Sequence, residues 1–201
     1  MIKAFLFDYD GVMTAGVKDG IPASRLAKNV GVSFDTAAGW IASIWAPFST
    51  GMITENQAWD KLENLYGNPI STQQRDIWFK WAELEPLPEM INLVRLLKTR
   101  GYPVGVLSNV LPVTAQVIRE HNGYAEFDFT VLSCEVGSRK PDQKVYETAL
   151  TKLKDVAPQE VAFLDDREPC TTAASKLGLL PIHVTNHSEA IQQVLTLIDT
   201  V

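Results

Sequence analysis

The sequence predicts an α/β fold: a parallel sheet with helices on both faces, and a helical bundle inserted after its first strand. Two observations predict it. Short, wholly apolar runs of strand length alternate with amphipathic stretches of helical period. That is the pattern of parallel strands buried on both faces and joined by crossover helices. Between residues 17 and 85 the rhythm stops. No convincing buried strand occurs there, and all five tryptophans (Trp40, Trp45, Trp59, Trp78 and Trp81) fall inside it.

Taken in order, residues 4–7 (AFLF) form the first strand. The inserted segment follows, with helical patterns over residues 23–30, 34–45, 55–66 and 72–82. A bundle this small needs large side chains to build its own core, which accounts for the tryptophans more simply than ligand stacking does. Pro86 and Pro88 in ELEPLPEM mark the return to the sheet. A helix over 89–100 carries apolar residues at 90, 91, 93, 94, 96 and 97 and stops at Gly101. Strand 104–107 leads to helix 112–121, and a weaker strand is expected over 127–132. Helix 144–153 follows Lys140-Pro141-Asp142. Strand 161–164, helix 171–177 ending at Gly178, strand 180–184 and helix 188–198 behind a Ser cap complete the chain. The expected organisation is therefore an α/β core from residues 1–16 and 86–201 and a helical insertion over 17–85, without internal repeats or low-complexity tracts.

Bulk properties narrow the function. The 201 residues are 46% apolar and 21% charged, ordinary for a globular chain. Lys plus Arg number 18 against 24 Asp plus Glu, a formal charge of −6, and no basic stripe suggests a nucleic-acid partner. Cys134 and Cys170 lie far apart without zinc-type spacing and are expected as reduced thiols. The opening MIKAFLFD has one Lys and too short an apolar run for a signal peptide, and no run approaches the ~20 residues of a membrane span. A cytoplasmic protein without a membrane partner is expected.

Polar residues cluster where strands end. The first strand ends in Asp8 and Asp10, the second in Ser108-Asn109, and the 161–164 strand in Asp165-Asp166. Open parallel sheets bind ligands outside the carboxyl ends of their strands, so these groups share one edge. Lys140, in SRKPD ahead of a helix, can reach it. Singly, each is an ordinary turn, cap or surface residue. Jointly, Asp8, Asp10 and Asp166 gather like charges that need a cation, and oxygen ligands with partial hydration suit Mg²⁺. Such a site works on phosphate. Ser108, Lys140 and the helix N-termini past Asn109 and Pro141 would supply further contacts.

These residues resemble the motifs of the haloacid dehalogenase superfamily. The first motif reads Asp8-Tyr9-Asp10-Gly11-Val12, the second VGVLSN with Ser108, the third SRKPDQKVYETAL with Lys140, and the fourth VAFLDD with Asp165 and Asp166. The resemblance runs from residue 5 to about 185. It implies a Rossmann-like core, and it likens the insertion to the family's small helical cap. One departure stands out: FLDDREPC places Cys170 where the family usually has Asn, a supporting position, so metal binding is expected to survive.

The resemblance implies an Mg²⁺-dependent phosphatase. Asp8 would be the nucleophile, forming an aspartyl-phosphate, and Asp10 the general acid and base. Asp8, Asp166 and the backbone carbonyl of Asp10 would hold the metal. Gly11 would free the backbone to turn, and Ser108, Asn109 and Lys140 would bind phosphate or orient substrate. Asp165 would support Lys140 or a metal-bound water. Asp10 separates the chain from the dehalogenases, which lack this second carboxylate and need no Mg²⁺. The expected partner is a small phosphate monoester, with a sugar phosphate preferred by family analogy. Arg25 and Lys28 are weighed as contacts for a second anionic group against solvated helix residues. A phosphomutase on the same scaffold and a non-enzymatic binding role remain alternatives, as do monomer and homodimer.

Overall fold

A computed structural model of the chain describes residues 1–17 and 20–199. The entry into the expected insertion at residues 18 and 19, and the last two residues, lie outside it. Five parallel strands form one sheet in the order β3-β2-β1-β4-β5. They are β1 (Ala4–Phe7), β2 (Val104–Ser108), β3 (Phe129–Leu132), β4 (Val161–Asp165) and β5 (Leu180–His183). Helices α5 (Pro88–Thr99), α6 (Pro112–Glu120), α8 (Gln143–Lys152), α9 (Glu168–Lys176) and α10 (His187–Asp199) cover its faces, and α7 (Ser133–Val136) is a single turn behind β3.

β1 is fully buried because it sits mid-sheet, with Phe7 level with Val106 on one side and Leu164 on the other. Its alternating side chains feed two clusters. Phe5 and Phe7 join the layer that includes Val94, Leu97 and Val194, whereas Ala4 and Leu6 join the layer of Val145, Tyr146 and Phe163. An apolar strand with no polar alternation is what a sheet covered on both faces requires.

The segment between β1 and β2 is helical. α1 (Ile21–Val30), α2 (Phe34–Ser49) and α3 (Glu55–Tyr66) enclose a cluster of their own that includes Leu26, Ile44, Phe48, Trp59 and Leu62. Local chemistry fixes their ends. Ser33 caps α2 by accepting from Thr36 N, and Thr54 with Gln57 forms a capping box at α3. The tryptophans mostly build this core. Trp59 and Trp78 pack on one another, Trp78 on Phe48 and Trp40 on Tyr66. Leu111 of the sheet layer also enters this cluster, and Phe79, Trp81 and Leu84 pack against the sheet's own core.

Two expected elements differ. Residues 72–82 do not form a helix: they run through turns and bends into a single turn, α4 (Trp81–Leu84). Tertiary contacts take carbonyl oxygens that a helix would use. Arg25 donates to the carbonyl oxygens of Ile77 and Trp78, and Gln74 exchanges bonds with Asn29 through backbone and side chain alike. At the last helix, the cap is Asn186 rather than Ser188: its Oδ1 accepts from Glu189 N at 3.1 Å.

α2 is tied to the sheet at its C-terminus. Ser133 Oγ donates to Ser49 O at 2.6 Å and accepts from Val110 N at 2.9 Å, all buried. Gly51 has φ +68°, and a Cβ there would meet Cys134 O at 2.2 Å, so the chain passes too close for any other residue.

Candidate active site

Each predicted site residue except Lys140 comes from β1, β2 or β4 or the loop just past it. Asp8 follows β1, its N–H donating to Leu164 O at 2.8 Å, so the β1–β4 ladder runs right up to the carboxylate. Ser108 ends β2 and Asp165 ends β4. With β1 flanked by β2 and β4, these ends meet at the crevice where strand order reverses, the usual place for a ligand in such sheets.

Lys140 lies at the centre. Its Nζ sits 2.6 Å from Asp165 Oδ2 and 3.0 Å from Asp8 Oδ2, with all three side chains almost wholly buried. Burial alone would push the ammonium down, but the Asp8 and Asp165 carboxylates outweigh it and hold its pKa above the ordinary lysine value. Asp165 is further fixed by Arg167 N, which donates to its other oxygen at 2.8 Å. Asp165 thus touches Lys140 directly.

Asp8 is pushed up by burial, with Lys140 and the nearby Ser108 hydroxyl pulling the other way. Asp166 is pushed up by burial and then by the charges of Asp8 and Asp10. Asp8, Asp165 and Asp166 each offer a carboxylate oxygen within 4.8 Å of the others. Three hard oxygen donors this close together form a set that a divalent cation suits, and Mg²⁺ fits them.

Asp10 stands apart from this set. Thr14 Oγ1 donates to its Oδ1 at 2.8 Å and Val17 N to the same atom at 3.0 Å. Its carboxylate is therefore turned to the loop after β1, and burial pushes its pKa up against those bonds. Thr14 is a participant sequence reasoning missed; its position four residues after Asp10, in a loop that curls back on Tyr9 O, was the available signal.

Gly11 proves to be a packing necessity. Its φ is +75°, and a Cβ would lie 2.4 Å from Asp166 Oδ2. Any other residue would have to displace that carboxylate and hold a left-handed backbone conformation. Asn109 clasps the Lys140 backbone: its Nδ2 donates to Lys140 O and its Oδ1 accepts from Lys140 N, both at 2.8 Å. It positions the lysine loop. Cys170 is buried beside the site, its thiol pushed up to about 11 by burial, and its carbonyl accepts from Tyr146 Oη.

A cavity of about 440 Å³ opens above these groups and reaches α2. Arg139 and Arg167, unremarked in the sequence, line it beside Lys140. Arg25 does not: its guanidinium is held by Trp78 O and Glu83 at 2.7 Å each, and Lys28 is exposed on α1.

The family model of haloacid dehalogenase-like hydrolases matches residues 2–178. The chain belongs to this family. As a member of the haloacid dehalogenase-like hydrolases it is a hydrolytic enzyme. It is similar to a sesquiterpene phosphatase of Aspergillus oryzae, 27% identical over 185 residues covering 92% of this chain and 90% of that protein. It is 38% identical over 111 residues to the bifunctional epoxide hydrolase 2 of Mus musculus, covering 52% of this chain and only 20% of that protein's length. Among solved structures it resembles a haloacid dehalogenase family enzyme of Bacteroides thetaiotaomicron in complex with magnesium and inorganic phosphate. That match has a TM-score of 0.76 at 22% identity, covering 91% of this chain and 94% of the other. The likeness shows a shared fold. Among the described residues, no helix is long and apolar enough to cross a membrane.

Proposed function

We propose that this hydrolase is an Mg²⁺-dependent phosphatase that cleaves small phosphate monoesters through a phosphorylated Asp8. The observation that carries the reading is the grouping at the strand ends: buried Asp8 and Asp165 share Lys140, the exposed Asp166 carboxylate lies close to both acids, and Asp10 is held separately beside them. The phosphatase relative and the magnesium–phosphate complex of the structural neighbour support it. The helical segment over 17–85 serves in this reading as a cap over the reacting group.

Asp8, Asp166 and the backbone carbonyl of Asp10 would hold the metal. When bound, the cation supplies positive charge that offsets the repulsion between phosphate and carboxylate. Lys140 adds a second positive charge against Asp8, which opposes the upward push of burial on that carboxylate. An Asp8 oxygen bonds to phosphorus while the bond from phosphorus to the ester oxygen breaks, and Asp10 gives its proton to the departing alcohol. Water then attacks the phosphoryl group and surrenders a proton to Asp10. The bond from Asp8 to phosphorus breaks, restoring the carboxylate and releasing inorganic phosphate.

The geometry suits Asp10 to both tasks. Thr14 and Val17 both bond Oδ1, which fixes the group and leaves Oδ2 to carry the proton. A pKa raised by burial keeps that proton available closer to neutrality. Ser108 and the backbone N–H groups after Asp8 would cradle the phosphoryl oxygens.

The test is phosphate release from p-nitrophenyl phosphate and small monoesters with Mg²⁺, with chelator, and with Asp8→Asn. Release that requires Mg²⁺ and disappears in Asp8→Asn, with unchanged circular dichroism, is the expected result. Isomerised phosphate in place of free phosphate would instead identify a phosphomutase. No transfer at all would refute the reading.

A further inference from the structure

The cavity above Asp8 has two chemically different ends. Its cationic lining, Arg139, Lys140 and Arg167, lies at the sheet end, beside the carboxylates. Its far wall is α2, which contributes Ala38, Ile41, Ala42 and Trp45. Among the described residues, no charged or amide side chain from the segment 17–85 lines the cavity. Arg25 of α1 does not reach the cavity, being bound to Glu83 and to the Trp78 carbonyl. On the sheet side, Val110, Leu111 and Ile118 extend the apolar lining.

A polyol seated there would lose water from each hydroxyl without gaining a partner, which costs binding energy for every group buried. A hydrocarbon would lose nothing and would bury apolar area on both sides. The volume, about 440 Å³, falls in the range that encloses a mid-sized organic molecule. Thr114 also lines the cavity, and its Oγ1 is buried without a hydrogen-bond partner. It could serve a single oxygen on an otherwise hydrocarbon skeleton.

We propose that the substrate is the phosphate monoester of an apolar alcohol, with its carbon skeleton seated against Ile41, Ala42 and Trp45 of α2 and its phosphate at Asp8, in place of the sugar phosphate expected by family analogy. The proposal rests on the phosphatase reading and deepens it.

The test compares kcat/KM, with Mg²⁺, for n-butyl, n-hexyl and n-decyl phosphates below their aggregation concentrations, beside glucose 6-phosphate and glycerol phosphate. The expected result is a rise of about a hundredfold from butyl to decyl, with both polyol esters below butyl phosphate. Ala42→Asp, at an exposed position of α2 that also lines the cavity, should cut the decyl-to-butyl ratio by about tenfold. Ala42→Ser should retain most of the ratio. Release that is flat along the series, or faster from a polyol ester, overturns the inference while the phosphatase reading stands. So does a ratio unmoved by Ala42→Asp.

Equilibrium binding of n-decylphosphonate against methylphosphonate, measured by calorimetry with Mg²⁺, separates the remaining case. If no ester is hydrolysed but decylphosphonate binds more tightly and loses that advantage in Ala42→Asp, the phosphatase reading fails and the apolar seat stands. If the two phosphonates bind alike, the apolar seat is overturned.

Discussion

Lys140→Met isolates the electrostatic core of the site. Lys140 Nζ lies 2.6 Å from Asp165 and 3.0 Å from Asp8, with its own side chain 1% exposed. At an effective dielectric near 20, each attraction is worth about 5–6 kcal/mol, and most of this repays the cost of taking the charges out of water. Removing one partner from such a buried group leaves the other charges uncompensated and costs about 3–5 kcal/mol. Methionine fills a similar volume, so the loss reports charge rather than a void.

The pH dependence gives the sign. In the wild type, burial opposes the Lys140 charge, but Asp8 and Asp165 raise its pKa above 10.5. Its contribution is therefore fully present below that value and is lost only as pH rises through the folded pKa. In Lys140→Met, Asp8, already raised by burial, rises further, and the folded chain binds protons that the unfolded chain does not. The variant then loses stability as pH rises, so the deficit is larger at about pH 8 than at about pH 5. Urea unfolding at both pH values measures it, and Asp8→Asn in the same background should recover part of the loss. A deficit under about 1 kcal/mol at the higher pH, or one that does not shrink in acid, would refute the reasoning.

Two other substitutions follow from contacts already described. Gly11→Ala should cost about 1–2 kcal/mol by thermal unfolding, because alanine resists the positive φ and its Cβ would lie 2.4 Å from Asp166 Oδ2. Displacing Asp166 should also raise the Mg²⁺ concentration for half-maximal phosphate release by about tenfold, and an unchanged Mg²⁺ requirement would count against a metal role for Asp166. Glu63 accepts from Ile70 N and from Arg75, and these bonds hold its pKa below 4.5. The stability it adds is present above 4.5 and is lost as pH falls through the folded value. Glu63→Gln should therefore lower Tm near neutrality, with the gap closing below 4.5, and a gap that persists in acid would contradict this.

The strands were legible because a sheet covered on both faces leaves apolar runs with no alternation, as in AFLF, and because a carboxylate or hydroxyl right after such a run has few other reasons to be there. The same logic brought Asp8, Ser108 and Asp165 to one edge. Residues 72–82 misled because helical periodicity is local, whereas the carbonyls of Ile77 and Trp78 answer to Arg25, more than fifty positions away. The sequence could not show that the Asn109 amide also matches the Lys140 backbone at both atoms, a pairing that exists only once two distant loops meet. Nor could the pattern of α2 say which of its apolar residues line the cavity: Ile41 faces both that space and the helical cluster, whereas Ile44 lies wholly within the cluster.

The central place of β1 bears on how the protein is made. Ala4–Phe7 is made before both strands that flank it in the sheet, Val104–Ser108 and Val161–Asp165. The helical segment between them can begin to pack through its short-range α1–α2 contacts as it emerges, while the first strand waits for partners that are far away in the chain. Asp8 acquires Lys140 only after residue 140 has been made, and the acid pair later still. A chain cut short before residue 165 would hold Asp8 without the Asp165 carboxylate that shares Lys140 with it. The grouping of Asp8, Asp165 and Asp166 beside Lys140 thus forms only after the strand that ends at Asp165 has been made.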